Sequence, residues 1–231
     1  MAELTIACIN MEFGGLDRET GNSSRLHRSL DLLARWRPDV ILAQEVMGIQ
    51  PYTLRRHARA IANVLGMADP IIGPATPQSA SGNRTAIFRR PGLEVHDDGP
   101  PDTLPGLAWC EALISVPGWP VPLLFASVHL PARSGTLQRI QAETLAAYIA
   151  TKKHQSSCDA VIAGDWNSYA PDSGITSDQL LTLPEHLRAS RLLPGPSGTA
   201  RVNTAVHDVL TWTGLTEIAA ALQPEIGRAH V

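Results

Sequence analysis

Several polar residues close apolar runs at positions suited to chemistry on a charged ester. Asp165 and Asn167 follow the apolar start of "AVIAGDWNS" (160–168), and His129 interrupts "LLFASVHL" (123–130) after six nearly apolar residues. Gln44 and Glu45 come late in "DVILAQEV" (39–46), and Asn10 ends "LTIACIN" (4–10). A carboxylate at the end of a buried strand is costly unless water, a hydrogen-bond donor or a cation satisfies it. Glu45 can offer an oxygen to a hard cation such as Mg²⁺, which needs one or two protein carboxylates and keeps several waters. Asn167 falls on the same side as Asp165 if the strand continues, because side chains repeat every two residues, and its amide can donate to a phosphate oxygen. Together these groups suit metal-assisted phosphoester hydrolysis: a cation to neutralise phosphoryl charge, a carboxylate to orient or deprotonate water, and donors to hold developing charge.

Each residue alone has a plainer reading. Gly-Asp and Asn-Ser make good turns. Glu45 can face solvent at the start of a loop, Asn10 can open an Asx turn, and His129 can be a satisfied structural histidine. Trp166 can fill core. What favours chemistry is that separate apolar runs end alike, so that all could meet at one rim of a layered sheet.

The elements that must position them follow from periodicity. Residues 4–10 alternate as a strand, and "MEFGGLDRETGNSS" reads as a loop. Leu26, Leu30, Leu33 and Trp36 fall at helical spacing until Pro38 stops the helix. "DVILAQEV" reads as a buried strand. "YTLRRHARAIANVLG" is a second amphipathic helix capped by Gly66. Residues 83–90 form a strand, 107–116 and 121–130 a hairpin about "PGWP", 136–154 the clearest helix, and "DAVIAGDWN" the strand after it. "TAVHDVLTWTGL" is a helix ended by Gly214. Strand–helix–strand units mixed with a hairpin point to an α/β or α+β layered fold. The chain reads as a single domain over 1–231, with the Pro- and Gly-rich tracts at 97–106 and 194–198 as surface loops.

Composition narrows the class. The 231 residues are 44% hydrophobic and 18% charged, with net charge −3, which advertises no basic nucleic-acid surface. Lys152 and Lys153 are the only lysines; this arginine bias suits phosphate contacts and equally reflects genome composition. Cys8, Cys110 and Cys158 are too dispersed for a zinc site or disulfide framework, so reduced thiols are expected. No signal peptide or spanning segment is legible, and the expectation is a cytoplasmic protein with no membrane partner.

The series "ACINMEFGG", "ILAQEV", "NRTAIFRR", "ASVHLPA", "AGDWNS" resembles the endonuclease/exonuclease/phosphatase superfamily of DNase I-like metal-dependent phosphoesterases, over residues 4 to about 170. The resemblance implies a four-layer α/β sandwich with the site at one rim. It assigns Asn10 and Glu45 to the Mg²⁺ site (Mn²⁺ being possible), with Glu45 the main ligand. His129 would donate to the scissile phosphate, Asp165 would orient or activate water, and Asn167 would hold a phosphate oxygen. Arg84 falls where a phosphate contact is possible, though a surface arginine is the plainer reading. The substrate class is a phosphoester: a nucleic acid, a nucleotide or a small phosphodiester.

Two further motifs of that superfamily, an Arg-x-Asp-like strand and a final Ser-Asp-His-like strand, are not found. His207-Asp208 lies in a predicted helix in reverse order, and "GRAHV" reads as a strand stub or an unrelated tail. The domain is therefore expected to be C-terminally incomplete. The alternative function is a catalytically impaired remnant or binding module that keeps the fold without the Asp-His element.

Overall fold

The computed structural model describes residues 3–17, 19–46, 51–74, 84–98 and 107–218. Asn83, most of the 97–106 tract and the "GRAHV" tail with His230 lie outside the described residues. The chain divides into two compact units, residues 1–130 with 151–166, and 131–150 with 167–231.

Among the described residues, the first unit holds eight strands and two complete α-helices. In chain order these are β1 (Ile6–Asn10), α1 (Ser24–Trp36), β2 (Val40–Val46), α2 (Pro51–Leu65), β3 (Ile71–Ile72), β4 (Arg84–Arg89), β5 (Glu94–Asp98), β6 (Ala108–Ser115), β7 (Leu123–His129) and β8 (Asp159–Asp165). The last residues of α3 (Gly135–Ser156), from 151 onward, also belong to this unit. One sheet has the order β1-β2-β4-β3 and the other β5-β6-β7-β8. Their outer members β1 and β8 run parallel to β2 and β7, while β2/β4 and the predicted β6/β7 hairpin are antiparallel.

The alternation of β2 explains the layering. Ile41 and Ala43 join Ala86 and Phe88 of β4 in one core, covered by Leu26, Leu30 and Leu33 of α1 and Leu54, Ala58 and Ile61 of α2. Val40 and Leu42 point the other way. They pack with Ile87 against Cys110, Ala112 and Ile114 of β6 and Phe125 of β7, between the two sheets. Each fully buried Leu, Ile or Phe contributes about 1.5–3 kcal/mol, so the two cores together fix which faces meet. α1 ends before Pro38, with Arg37 left-handed at its C-cap, and Gly66 follows α2 at φ +65°, as a glycine cap suits.

The second unit contains most of α3, then α4 (Ser177–Leu181), α5 (Glu185–Arg191), the short antiparallel pair β9 (Leu192–Pro194) and β10 (Ala200–Val202), and α6 (Ala205–Trp212). A Thr176–Gln179 capping box opens α4. The mixed α/β architecture expected from the sequence is present. Among the described residues no helix is long and apolar enough to cross a membrane.

Candidate active site

Four predicted residues stand at the carboxyl ends of strands in the first unit. Asn10 ends β1, Glu45 is next to last in β2, His129 ends β7, and Asp165 ends β8. Asn10 is in register with Gln44, and His129 with Asp165. Crevices beyond the carboxyl ends of parallel strands are where open α/β sheets bind ligands.

The four side chains converge. The Asn10 amide nitrogen donates to Glu45 Oε1 at 3.3 Å and to Asp165 Oδ2 at 2.8 Å. His129 Nε2 faces the same two oxygens, at 3.9 and 3.7 Å. Two carboxylates are thus flanked by an amide nitrogen and an imidazole nitrogen, and the three ionisable side chains are only partly exposed. The Asn10 oxygen is turned away and accepts from the Glu12 backbone N–H at 2.8 Å. Asn10 therefore presents a donor to the carboxylates, and it would ligate a cation only with its amide turned end for end.

Glu45 is aimed by the backbone. The β2/β4 register shifts between Ala43 and Val46, and inside this bulge Glu45 sits at φ +53°. A left-handed residue with a Cβ costs roughly 1–2 kcal/mol, and such strain is held where surrounding structure over-determines it. The Phe13 N–H donates to Glu45 Oε2 at 3.3 Å. Phe13 belongs to a run, Glu12 to Gly15, in which every φ is positive. Arg25 pins that run: Nη1 reaches Glu12 Oε2 at 2.5 Å, and Nη2 reaches the carbonyls of Glu12 and Leu16. The sequence showed this stretch only as a Gly-rich loop; the roles of Phe13 and Arg25 carried no local signal beyond the paired glycines.

Gly164 serves the packing of two strands. A Cβ there would lie 1.9 Å from the Val128 carbonyl oxygen, so the glycine lets β8 lie close on β7 and brings Asp165 beside His129. The Leu130 N–H then donates to the Asp165 carbonyl at 2.9 Å.

Two other predicted residues, Arg84 and Asn167, make the following contacts. Arg84 opens β4 opposite Val46, half-buried, with Nη1 donating to the Gly73 carbonyl at 3.3 Å. Asn167 begins the second unit at φ +48°. Its carbonyl accepts from Gln138 Nε2 at 2.9 Å, and Gln138 in turn accepts from Asn203 Nδ2 at 2.7 Å. Gln138 and Asn203 are both fully buried, a polar pair that sequence reasoning missed, because Gln138 lies inside a helical pattern and Asn203 beside a strand pair of only three rungs.

The donor set fits a hard divalent cation. Two carboxylates gather on one donor-bearing nitrogen, a position that attracts positive charge, and Mg²⁺ needs no more protein oxygens than these two carboxylates offer. Among the described residues no group of three or more His, Cys, Asp or Glu side chains forms a ready-made metal cage.

A model of the Endonuclease/Exonuclease/phosphatase family matches residues 8–214. No curated protein sequence matches the chain. Among solved structures, ANGEL2, a 2′,3′-cyclic phosphatase, is 19% identical, with 86% of this chain and 63% of that one covered at a TM-score of 0.58. A mannosyl-6-phosphatase of Bacteroides thetaiotaomicron is 16% identical, covering 72% and 66% at 0.58. TDP2 of Caenorhabditis elegans is 14% identical, covering 79% and 54% at 0.54. At such identities the likeness is one of fold, and the chain spans between 54% and 66% of those proteins' lengths.

Proposed function

Because this chain belongs to the endonuclease/exonuclease/phosphatase family, we propose that it is a divalent-cation-dependent hydrolase of phosphoester bonds, acting by in-line attack of water. The observation that carries the reading is the convergence of Asn10 and His129 on the same two carboxylate oxygens of Glu45 and Asp165. Glu45 would be the main ligand of Mg²⁺ or Mn²⁺, with Asp165 beside it. When bound, the cation would neutralise charge on the phosphoryl oxygens.

The chain's own groups do the rest. Asp165 orients the attacking water and accepts its proton, the work of a general base. His129 donates from Nε2, the ring nitrogen that faces the carboxylates, to a phosphoryl oxygen and so holds developing charge. Asn10 keeps the two carboxylates together through its amide nitrogen. Arg84, across from the residue after Glu45, contacts the phosphate.

The substrate is a small phosphoester or a nucleotide-like one. That ANGEL2 is described as a 2′,3′-cyclic phosphatase and another fold relative as a mannosyl-6-phosphatase supports a compact phosphoester. A net charge of −3 supplies little of the phosphate neutralisation that non-specific duplex binding needs.

The test is Mg²⁺-dependent hydrolysis of bis-p-nitrophenyl phosphate by the full chain, by Asp165→Ala and by Glu45→Gln. Loss of a general base lowers the rate about 10²–10⁴-fold. Glu45→Gln should also remove the rise in Tm that saturating Mg²⁺ gives the parent, a stabilisation of about 2.7 kcal/mol at one hundred times Kd. Turnover that survives both changes would overturn the assignment.

A further inference from the structure

Gln44 and Ser127 are polar residues, 1% and 0% exposed, in the layer where the two sheets of the first unit face each other. Gln44 uses both of its N–H groups, donating to Ser127 Oγ at 3.0 Å and to the Leu42 carbonyl at 3.1 Å. Its oxygen accepts from Cys8 Sγ at 3.7 Å. The Ser127 hydroxyl donates onward to the Ala43 carbonyl at 2.9 Å. Three strands are therefore tied at one point: β1 through Cys8, β2 through Gln44 and Ala43, and β7 through Ser127.

We infer that this clamp positions the candidate site, and that Ser127 is a positioning residue that sets where Glu45 stands relative to His129. The inference rests on the reading of that site as a cation-dependent phosphoesterase centre. Ala43 is the last residue of β2 in regular register before the bulge, and Glu45 is held within it at φ +53°. The Ser127 hydroxyl grips the chain at the entry to that bulge, and the Gln44 side chain grips it one residue before Glu45. On β7, Ser127 lies two residues before His129 and so shares its face. One hydroxyl thus spans the strands that carry the two opposed groups. Buried polar pairs cost stability unless every partner is met, and apolar residues would fill the same space without that demand. A hydrogen-bonded pair directly behind a strained carboxylate is the arrangement expected of support for a site, where outer partners orient the groups that act.

The experiment compares parent, Ser127→Ala and Ser127→Thr, with Mn²⁺ as the probe. Free Mn²⁺ is followed by electron paramagnetic resonance, kcat and KM are measured on bis-p-nitrophenyl phosphate, and folding is checked by circular dichroism. Ser127→Ala should weaken Mn²⁺ binding about 10–100-fold, the range for loss of an outer-shell partner. It should lower kcat more than it changes KM. Ser127→Thr, which keeps the hydroxyl, should recover most of both losses. Mn²⁺ affinity and kcat within twofold of the parent in folded Ser127→Ala would reduce the clamp to packing and overturn the inference. If Ser127→Ala does not fold, Cys8→Ala decides: this exposed residue's loss frees the Gln44 oxygen and should move kcat in the same direction, and an unchanged kcat would refute the clamp. A parent that binds no Mn²⁺ would instead sink the phosphoesterase reading, and the clamp's role with it.

Discussion

Gly164→Ala tests how the site is assembled. The added Cβ would meet three backbone atoms of Val128, with the carbonyl oxygen at 1.9 Å. Real Cβ atoms essentially never come closer than 3.0 Å, and a backbone carbonyl cannot swing aside as a side-chain tip can. β8 must therefore move off β7 by about 1 Å, and the next pair in register is His129 with Asp165. Overpacking of this kind costs about 1–3 kcal/mol. For a chain of this size each kcal/mol lowers Tm by about 2–4 °C, so a fall of about 2–12 °C is expected. A displacement of about 1 Å between acting groups can cost about 10²-fold in rate, so hydrolysis of bis-p-nitrophenyl phosphate should fall by that order, measured well below the variant's Tm. Gly174→Ala is the control: its Cβ would meet nothing within 4 Å, and only its φ of +73° is strained. A Gly164→Ala protein that melts within 1 °C of the parent and hydrolyses at full rate would refute the close-packing argument. So would equal losses of rate in Gly164→Ala and Gly174→Ala.

In the second unit, Gln138→Leu should strip partners from the Asn203 amide and from the Asn167 and Pro131 carbonyls. Unmet buried polar groups cost about 1–3 kcal/mol each, so the urea midpoint should fall clearly, and a midpoint within error of the parent would contradict the buried network. Burial pushes the Cys110 thiol from 9.0 up to about 12. The folded chain then keeps a proton that the unfolded chain has lost, so stability present below pH 9 declines as pH rises from 9 toward 12. Urea unfolding of parent and Cys110→Ala at pH 7 and pH 10.5 checks this: the alkaline loss should be smaller in the variant, and equal losses would contradict it.

Much of the fold is local and therefore legible. The stripe Leu26, Leu30, Leu33 makes α1 wherever the chain folds, and Pro38 must end it. The alternation of β2 requires two buried faces and hence two layers. The placing of Asn10, Glu45, His129 and Asp165 at strand ends was also written in the order of residues, and so was the resemblance to a phosphoesterase family. Weakly patterned segments were not legible: β3 has two residues, and β9 and β10 have three each, too few for any period to show.

Only the folded chain decided how the site is made. Whether Glu45 faces solvent or its partners depends on a bulge defined by a register shift against β4. That Gly164 admits a neighbouring strand depends on Val128, 36 positions away by number. The bond that joins the cluster, Asn10 to Asp165, spans 155 residues. Periodicity and capping act over a few residues, whereas register, bulges and the facing of sheets are set by partners far along the chain, and it is these that turn strand ends into a site.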